Sequence, residues 1–127
     1  MKYGFSKTVS LPFEEAVEKI TGELKKEGFG VLTEIDVKET LKKKLNVDFK
    51  KYKILGACNP PIAHKALLAE EELGLLLPCN VIVYEKDGGS IISVFNPMTM
   101  TELVENNDIG SIAGEVKEKL QRALDAV

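Results

Sequence analysis

The reactive side chains of this 127-residue sequence are concentrated in one stretch, residues 52–84. It contains both cysteines, Cys58 and Cys79, and the only histidine, His64. Thiols and imidazoles act as nucleophiles, as general bases and as ligands for soft metals. The chemistry open to this protein therefore depends on how the fold places these three side chains.

Cys58 directly precedes a predicted helix start, Asn59-Pro60. Asparagine is favoured as an N-cap, and proline is favoured at the first helical position. The free N–H groups and the dipole at a helix N-terminus stabilise an anion, so a thiol placed there ionises more readily. The alternative is that Cys58 is a small core residue, because free cysteine is often buried.

His64 lies one turn into the same predicted helix, four residues after Pro60. From there its ring could reach back toward Cys58, and the pair could activate a thiolate or supply two metal ligands. A single helical histidine can equally be a packed or a surface residue. The spacing of Cys58, His64 and Cys79 does not match a zinc-finger pattern, which would contain a closely spaced cysteine pair.

Cys79 lies in Pro78-Cys79-Asn80, which echoes the first cysteine segment. Each cysteine falls at one end of a predicted strand, and the connection between the two strands contains a helix. If these strands run parallel, as helical crossovers often do, the cysteines lie roughly 20 Å apart. If the strands run antiparallel, the cysteines can meet. The sequence leaves both topologies open, and with them a site shared by Cys58, His64 and Cys79.

Hydrophobic periodicity predicts the element order β-α-β-α-β-α-β-β-α. The predicted strands are residues 3–10, 29–35, 52–57, 79–86 and 90–95, and the last two form a hairpin across Asp87-Gly88-Gly89. The predicted helices run from Pro12 to Gly28, over residues 37–45, from Pro60 through about Glu72, and onward from about Asp108. This pattern predicts a single α+β domain spanning residues 1–127, with helices on one face of a mostly antiparallel five-stranded sheet. The hairpin argues against the alternative, a small doubly wound sheet.

Composition limits the class of protein. The net charge is −3, the pI is about 5.3 and tryptophan is absent, which argues against a dedicated nucleic-acid binder. The sequence also has no apolar run of the roughly 18 residues that a membrane span requires, and no apolar segment typical of a signal peptide. We therefore expect a cytoplasmic protein, in which free thiols or ligand thiols are favoured over a structural disulfide.

A cluster of lysines precedes the cysteine-containing stretch. Seven lysines fall within residues 38–53, against Glu39 and Asp48. Such runs are typical of a solvated helix face whose lysine stems cover apolar surface. The alternative is that they form an anion-attracting rim beside the candidate site.

The motifs YKILGACNPPIAHKAL and LGLLLPCNVIVYE resemble those of the domain of unknown function 302 (DUF302) family. The likeness includes an amphipathic first helix, the DVKETLKKKL-type segment and the Asn-Pro after the last strand, so it covers nearly the whole chain. The resemblance implies a small α+β domain that forms a homodimer, and it implies no established activity. The positions that match the family pattern are Cys58, Asn59, Pro60, His64, Pro78, Cys79 and Asn80.

Three functions follow from these observations. The first is a binding module for a small ligand, or for a soft metal or sulfur species, formed by Cys58, Asn59, Pro60, His64, Cys79 and Asn80. The second is a thiol-dependent enzyme with Cys58 as nucleophile and His64 as base. The third is a dimeric interaction domain in which the cysteines only pack. The sequence identifies no cofactor, substrate or reaction.

Overall fold

The computed structural model describes all residues, 1–127, and its centre is one five-stranded sheet. The order across the sheet is β1-β5-β4-β3-β2, and every neighbouring pair is antiparallel. The strands are β1 (Gly4–Val9), β2 (Gly30–Asp36), β3 (Tyr52–Cys58), β4 (Cys79–Lys86) and β5 (Gly89–Phe95). The predicted α+β class with an antiparallel sheet is confirmed.

Five α-helices and two 3₁₀ segments complete the chain. The helices are α1 (Phe13–Lys26), α2 (Val37–Leu45), α3 (Pro60–Ala69), α4 (Met100–Leu103) and α5 (Asn107–Asp125). The 3₁₀ segments are Glu71–Leu76 and Pro97–Thr99. Helices α1 and α5 pack against each other and against the same face of the sheet. That face supplies alternate residues of the central strands to the main core, among them Leu55, Val81, Val83, Ile92 and Val94.

The ends of α1 follow the signals in its sequence. Glu14 and Glu15 occupy the first turn, and Lys25 and Lys26 the last, so each charge opposes the nearer end of the helix dipole. Gly28 follows with φ +85°, a left-handed conformation that glycine adopts without steric cost. These features fix where the chain leaves α1 and enters β2.

The lysine-rich helix α2 lies at the surface and buries none of its side chains. The Asp36 carboxylate accepts a hydrogen bond from Glu39 N at 2.9 Å, as its predicted role of N-cap requires. Four of the seven clustered lysines form ion pairs, namely Lys42 with Asp48, Lys43 with Glu39, Lys51 with Glu14 and Lys53 with Glu34. This pattern favours the solvated-face interpretation over an anion-attracting rim.

The third helix ends earlier than predicted. The sequence suggested a helix through about Glu72, but α3 ends at Ala69 and Glu70 is extended, with φ −146° and ψ 99°. The Asn106 side chain holds this break, donating hydrogen bonds to the Ala69 carbonyl at 2.8 Å and the Glu70 carboxylate at 3.2 Å. The helical hydrogen-bond pattern therefore stops there, and the next residues form the 3₁₀ segment.

The connection between β3 and β4 decides the topology that the sequence left open. Ala57 lies opposite Cys79 in an antiparallel ladder, and Tyr52 lies opposite Tyr84 at its other end. The parallel arrangement, with its large separation of the two cysteines, is therefore wrong. A register irregularity between Val31 and Thr33 interrupts β2 opposite the end of β3 and leaves the Leu32 side chain 65% exposed. None of the helices is long and apolar enough to cross a lipid bilayer.

Candidate functional site

Cys58 and Cys79 come together where β3 ends and β4 begins. Cys79 is paired with Ala57, the residue before Cys58, and the Cys58 thiol lies close enough to Cys79 to raise its pKa. The two cysteines are not joined by a disulfide. Cys79 is buried and Cys58 is partly exposed. The fold thus places two thiols of unequal accessibility at one edge of the sheet.

Both cysteines line a cavity of about 340 Å³, a volume within the usual range for small-molecule sites. Sixteen of its twenty lining residues are hydrophobic, and none carries a charge. The sheet contributes Ala57, Cys58 and Cys79, while α3 and α5 contribute aliphatic side chains from facing stripes. The deeply buried lining residues include Ala66, Leu73, Met100, Ile109 and Ala113. The cavity therefore offers an apolar interior.

Two apolar clusters border the cavity. The main cluster contains Phe29, Ala57, Ile62, Cys79 and Val116. The smaller cluster consists of the buried residues Ala66, Leu73, Met100 and Ile109. Members of both clusters line the cavity. Phe95 and Ile112 pack against both clusters, and Ile112 also lines the cavity, so the cavity lies beside the point where the two clusters meet.

Asn59 closes one side of the cavity and is occupied by structural hydrogen bonds. Its side-chain oxygen accepts from Ile62 N at 3.4 Å, which confirms its predicted role as the N-cap of α3. Its amide nitrogen donates to the Glu27 carbonyl at 3.3 Å. The Asn59 side chain therefore positions the helix start, and its polar groups are already engaged.

Close packing positions the strand ends beside the cavity. A Cβ added at Gly56 would overlap the Thr33 hydroxyl and lie 2.8 Å from Pro78 Cγ. Thr33 and Pro78 also line the cavity. Gly56 therefore allows the irregular part of β2 and the segment before β4 to approach the end of β3.

The two thiols differ electrostatically. Burial raises the pKa of Cys79 to about 11, and the nearby Cys58 thiol adds to this shift by disfavouring a second negative charge. At neutral pH the Cys79 side chain is thus a protonated thiol that packs as a small apolar group. A metal ligand or a nucleophile would need the thiolate form.

The other predicted site residues lie outside the cavity. His64 and Pro60 are exposed on α3, and neither is a lining residue. Asn80 is exposed on the opposite face of the sheet from Cys79, as alternation along β4 requires. No group of three or more His, Cys, Asp or Glu side chains is arranged to hold a metal ion. The structure therefore brings Cys58, Asn59 and Cys79 together and does not bring His64 to them.

Sequence reasoning missed the aliphatic half of the site. The smaller cluster combines residues from α3, the following 3₁₀ segment, α4 and α5. The available signal was the apolar stripe of α5 at Ile109, Ile112, Ala113 and Val116. That stripe predicts a buried helix face, but it does not indicate that part of the face borders an open space.

The fold and the site define a small α+β domain with an apolar cavity beside two thiols. The family model described as "Domain of unknown function DUF302" matches residues 5–127, so the chain belongs to the DUF302 family. It is similar to the crystal structure of an uncharacterized conserved DUF302 protein from Bacillus stearothermophilus, with 31% identity and a TM-score of 0.91. That match covers 99% of this chain and 98% of the other. No curated protein matches the sequence.

Proposed function

We propose that this domain binds a small, uncharged, apolar molecule in the cavity beside Cys58 and Cys79. The observation that carries the proposal is the space of about 340 Å³ bordered by two apolar clusters and lined almost entirely by hydrophobic side chains. Ligand sites are typically concave and mostly apolar, with few polar groups. The lining offers a charged ligand group no partner of opposite charge, so an uncharged body suits the cavity best.

The alternatives from the sequence have less support. A Cys58 nucleophile would need a base within hydrogen-bond reach, and His64 lies on the exposed side of α3. A soft-metal site shared by the two cysteines and His64 would need all three to converge, whereas His64 is not a lining residue. The two thiols are better suited to forming part of the apolar wall.

Binding of the small uncharged fluorophore 1-naphthylamine, whose ten carbons fit a cavity of this volume, tests the proposal. We expect saturable fluorescence enhancement with the unmodified protein. The variant Ala113→Phe should weaken binding at least tenfold, because the added ring occupies the cavity. The control Ser111→Phe adds the same ring at an exposed position of the same helix and should bind normally.

Circular dichroism establishes that both variants fold, and Ala66→Phe fills the same cavity from α3 if Ala113→Phe does not fold. Absence of saturable binding to the unmodified protein would refute the proposal. Equal affinities for the unmodified protein and a folded cavity-filling variant would also refute it.

We further propose that the domain forms a homodimer through the sheet face that α1 and α5 leave uncovered, here called the open sheet face. Uncharged side chains form a row across this face, with one residue from each of the five strands. From β2 to β1, the consecutive register partners are Ile35, Ile54, Ile82, Ser93 and Ser6. The next row contains Tyr52 and Tyr84, whose rings stack at 5.3 Å, followed by Ile91 and Thr8.

Neither row contains a charged residue, but the Lys50 ammonium lies 4.7 Å from the centroid of the Tyr84 ring, so the uncharged part of this face is centred on the row of Ile35, Ile54 and Ile82. Extended apolar surfaces commonly mark protein interfaces. Light scattering coupled to size exclusion should therefore give about twice the 14.0 kDa of one chain. Ile82→Lys should give the monomer, and Leu103→Lys, at an exposed leucine away from this face, should stay dimeric. A monomeric unmodified protein, or an Ile82→Lys variant that remains dimeric, would contradict this assembly.

A further inference from the structure

The cavity wall is aliphatic rather than aromatic. Phe29 is the only aromatic residue among its twenty lining residues. Sites for planar rings usually provide aromatic side chains that pack against the ring in defined geometries. Here leucine, isoleucine, alanine and the flexible Met100 form the surface, and methionine adapts readily to irregular apolar shapes. Such a wall suits a flexible hydrocarbon better than a ring system.

The size of the cavity limits the length of that hydrocarbon. An apolar cavity of roughly 150 Å³ holds one benzene molecule of six carbons, so about 340 Å³ corresponds to roughly ten to thirteen carbons. The lining stripe on α5 extends from Ile109 to Val116, which is about 10 Å along the helix axis. A medium-length chain, somewhat folded, matches both the volume and the length.

The cavity has a buried floor and an open mouth. Leu73, Met100 and Ile109 at the floor are at most 4% exposed. Leu32 and Leu67 also line the cavity, yet they are 65% and 39% exposed, so they mark its opening to solvent. An occupant can therefore enter between the irregular part of β2 and α3, and the exposed lining residue Gly74 lies in the 3₁₀ segment that follows α3.

The polar groups of the lining offer no buried site for a head group. Both polar atoms of the Asn59 side chain are engaged, and the buried Cys79 thiol is protonated at neutral pH. Thr33 is exposed near the mouth. Burying a carboxylate or phosphate without a partner is costly, so a polar head would stay at the mouth, in contact with water.

We infer that the natural ligand contains one unbranched alkyl or acyl chain of roughly ten to thirteen carbons, inserted with its methyl end toward Met100 and its polar head at the mouth. This inference rests on the proposed function, because it specifies the class of molecule that the same cavity binds. It excludes ligands that are charged at the buried end.

A homologous series of 1-alkanols from six to sixteen carbons, displacing 1-naphthylamine, tests the inference. Each added methylene should tighten binding about fourfold while the chain still lengthens inside the cavity. The increase in affinity should stop at roughly ten to thirteen carbons, where the chain fills the cavity.

Variants at the cavity wall should move this limit in opposite directions. Ala66→Leu adds three carbons to the wall and should shorten the limiting chain by about three carbons. Leu73→Ala removes three carbons and should lengthen it by the same number, provided the wall does not collapse. Lys65→Leu, at an exposed neighbouring position outside the lining, should leave the limit unchanged.

The outcomes separate this inference from the proposed function. If the fluorophore binds in the cavity but alkanol affinity does not depend on chain length, the chain inference is wrong and apolar binding stands. A limit that stays fixed in both folded wall variants overturns the chain inference in the same way. If neither the fluorophore nor any alkanol binds, the proposed function itself fails.

Discussion

Cys58 directly follows Ala57, the register partner of Cys79 on the adjacent antiparallel strand, and both thiols line one cavity, yet only Cys58 is accessible to solvent. The difference arises from position. Cys58 is the last residue of β3, where the chain turns into α3, whereas Cys79 packs within the main apolar cluster. Reagents in solution can therefore reach the Cys58 thiol, whereas apolar side chains enclose the Cys79 thiol.

Alkylation should distinguish the two thiols. Iodoacetamide at pH 7.5 should label Cys58 and spare Cys79, because Cys79 is buried and its raised pKa keeps it protonated. Mass spectrometry of the folded protein should find one adduct, and the denatured protein should carry two. Cys58→Ser should abolish labelling of the folded protein. His64→Ala should not change the rate, since His64 is not in the cavity; a slower rate would support the thiol-enzyme alternative.

Stability should depend on pH above neutrality through Cys79. Its thiol ionises near pH 9 in the unfolded chain but only near pH 11 in the folded protein. Below pH 9 the Cys79 thiol keeps its proton in both states, so this group makes no pH-dependent contribution to the free energy of unfolding. Between pH 9 and pH 11 only the unfolded state loses it, and the free energy of unfolding should fall by about 2–3 kcal/mol.

Denaturant unfolding of the protein and of Cys79→Ala across pH 8–11 isolates this effect. All other titratable groups are common to both proteins, so the change of their stability difference with pH isolates the Cys79 thiol together with its repulsion by Cys58. Two parallel stability curves would show that the Cys79 thiol is not protected in the folded protein.

A methyl group at position 56 should destabilise the fold. Gly56→Ala forces a contact with Thr33 and Pro78, and overpacking of this kind costs about 1–3 kcal/mol. Gly114→Ala is a matched control in α5, where an added Cβ meets nothing within 4 Å. It should stabilise by about 0.5–1 kcal/mol through helix propensity. Thermal unfolding of both variants provides the measurement. An unchanged melting temperature for Gly56→Ala would mean that β2 moves away from the added methyl group at little cost.

Removing the N-cap of α3 should cost stability without changing charge. Asn59→Ala loses the bond from Ile62 N and the bond to the Glu27 carbonyl, for an expected loss of about 1–2 kcal/mol. Asn107→Ala removes an exposed asparagine that caps no helix, and should lie within about 0.5 kcal/mol of the parent. Equal effects in urea unfolding would argue against a capping role for Asn59.

Local signals in the sequence predicted the elements well. The N-caps Asp36 and Asn59, the helix start at Pro60 and the turn after α1 at Gly28 all occupy their expected places. Each of these features depends on contacts within a few residues, which a sequence pattern records directly. The hairpin of β4 and β5 was predictable for the same reason.

Features that depend on distant contacts were not predictable. The early end of α3 depends on Asn106, which is 37 residues away from Ala69. The orientation of His64 depends on which face of α3 packs on the core, and the face containing Ile62 and Ala66 packs instead. The cavity is a space bordered by two clusters, and an amphipathic stripe indicates burial without revealing whether the opposite side is filled.

The pairing of β1 with β5 has a consequence for how the chain folds. The hydroxyls of Ser6 and Ser93 meet at 2.6 Å although 87 residues separate them in sequence. β1 must therefore wait until β5 has been synthesised, and joining the two strands closes a long loop with a large entropic cost. We expect this domain to fold more slowly than a helical bundle of equal length, with β1 docking late.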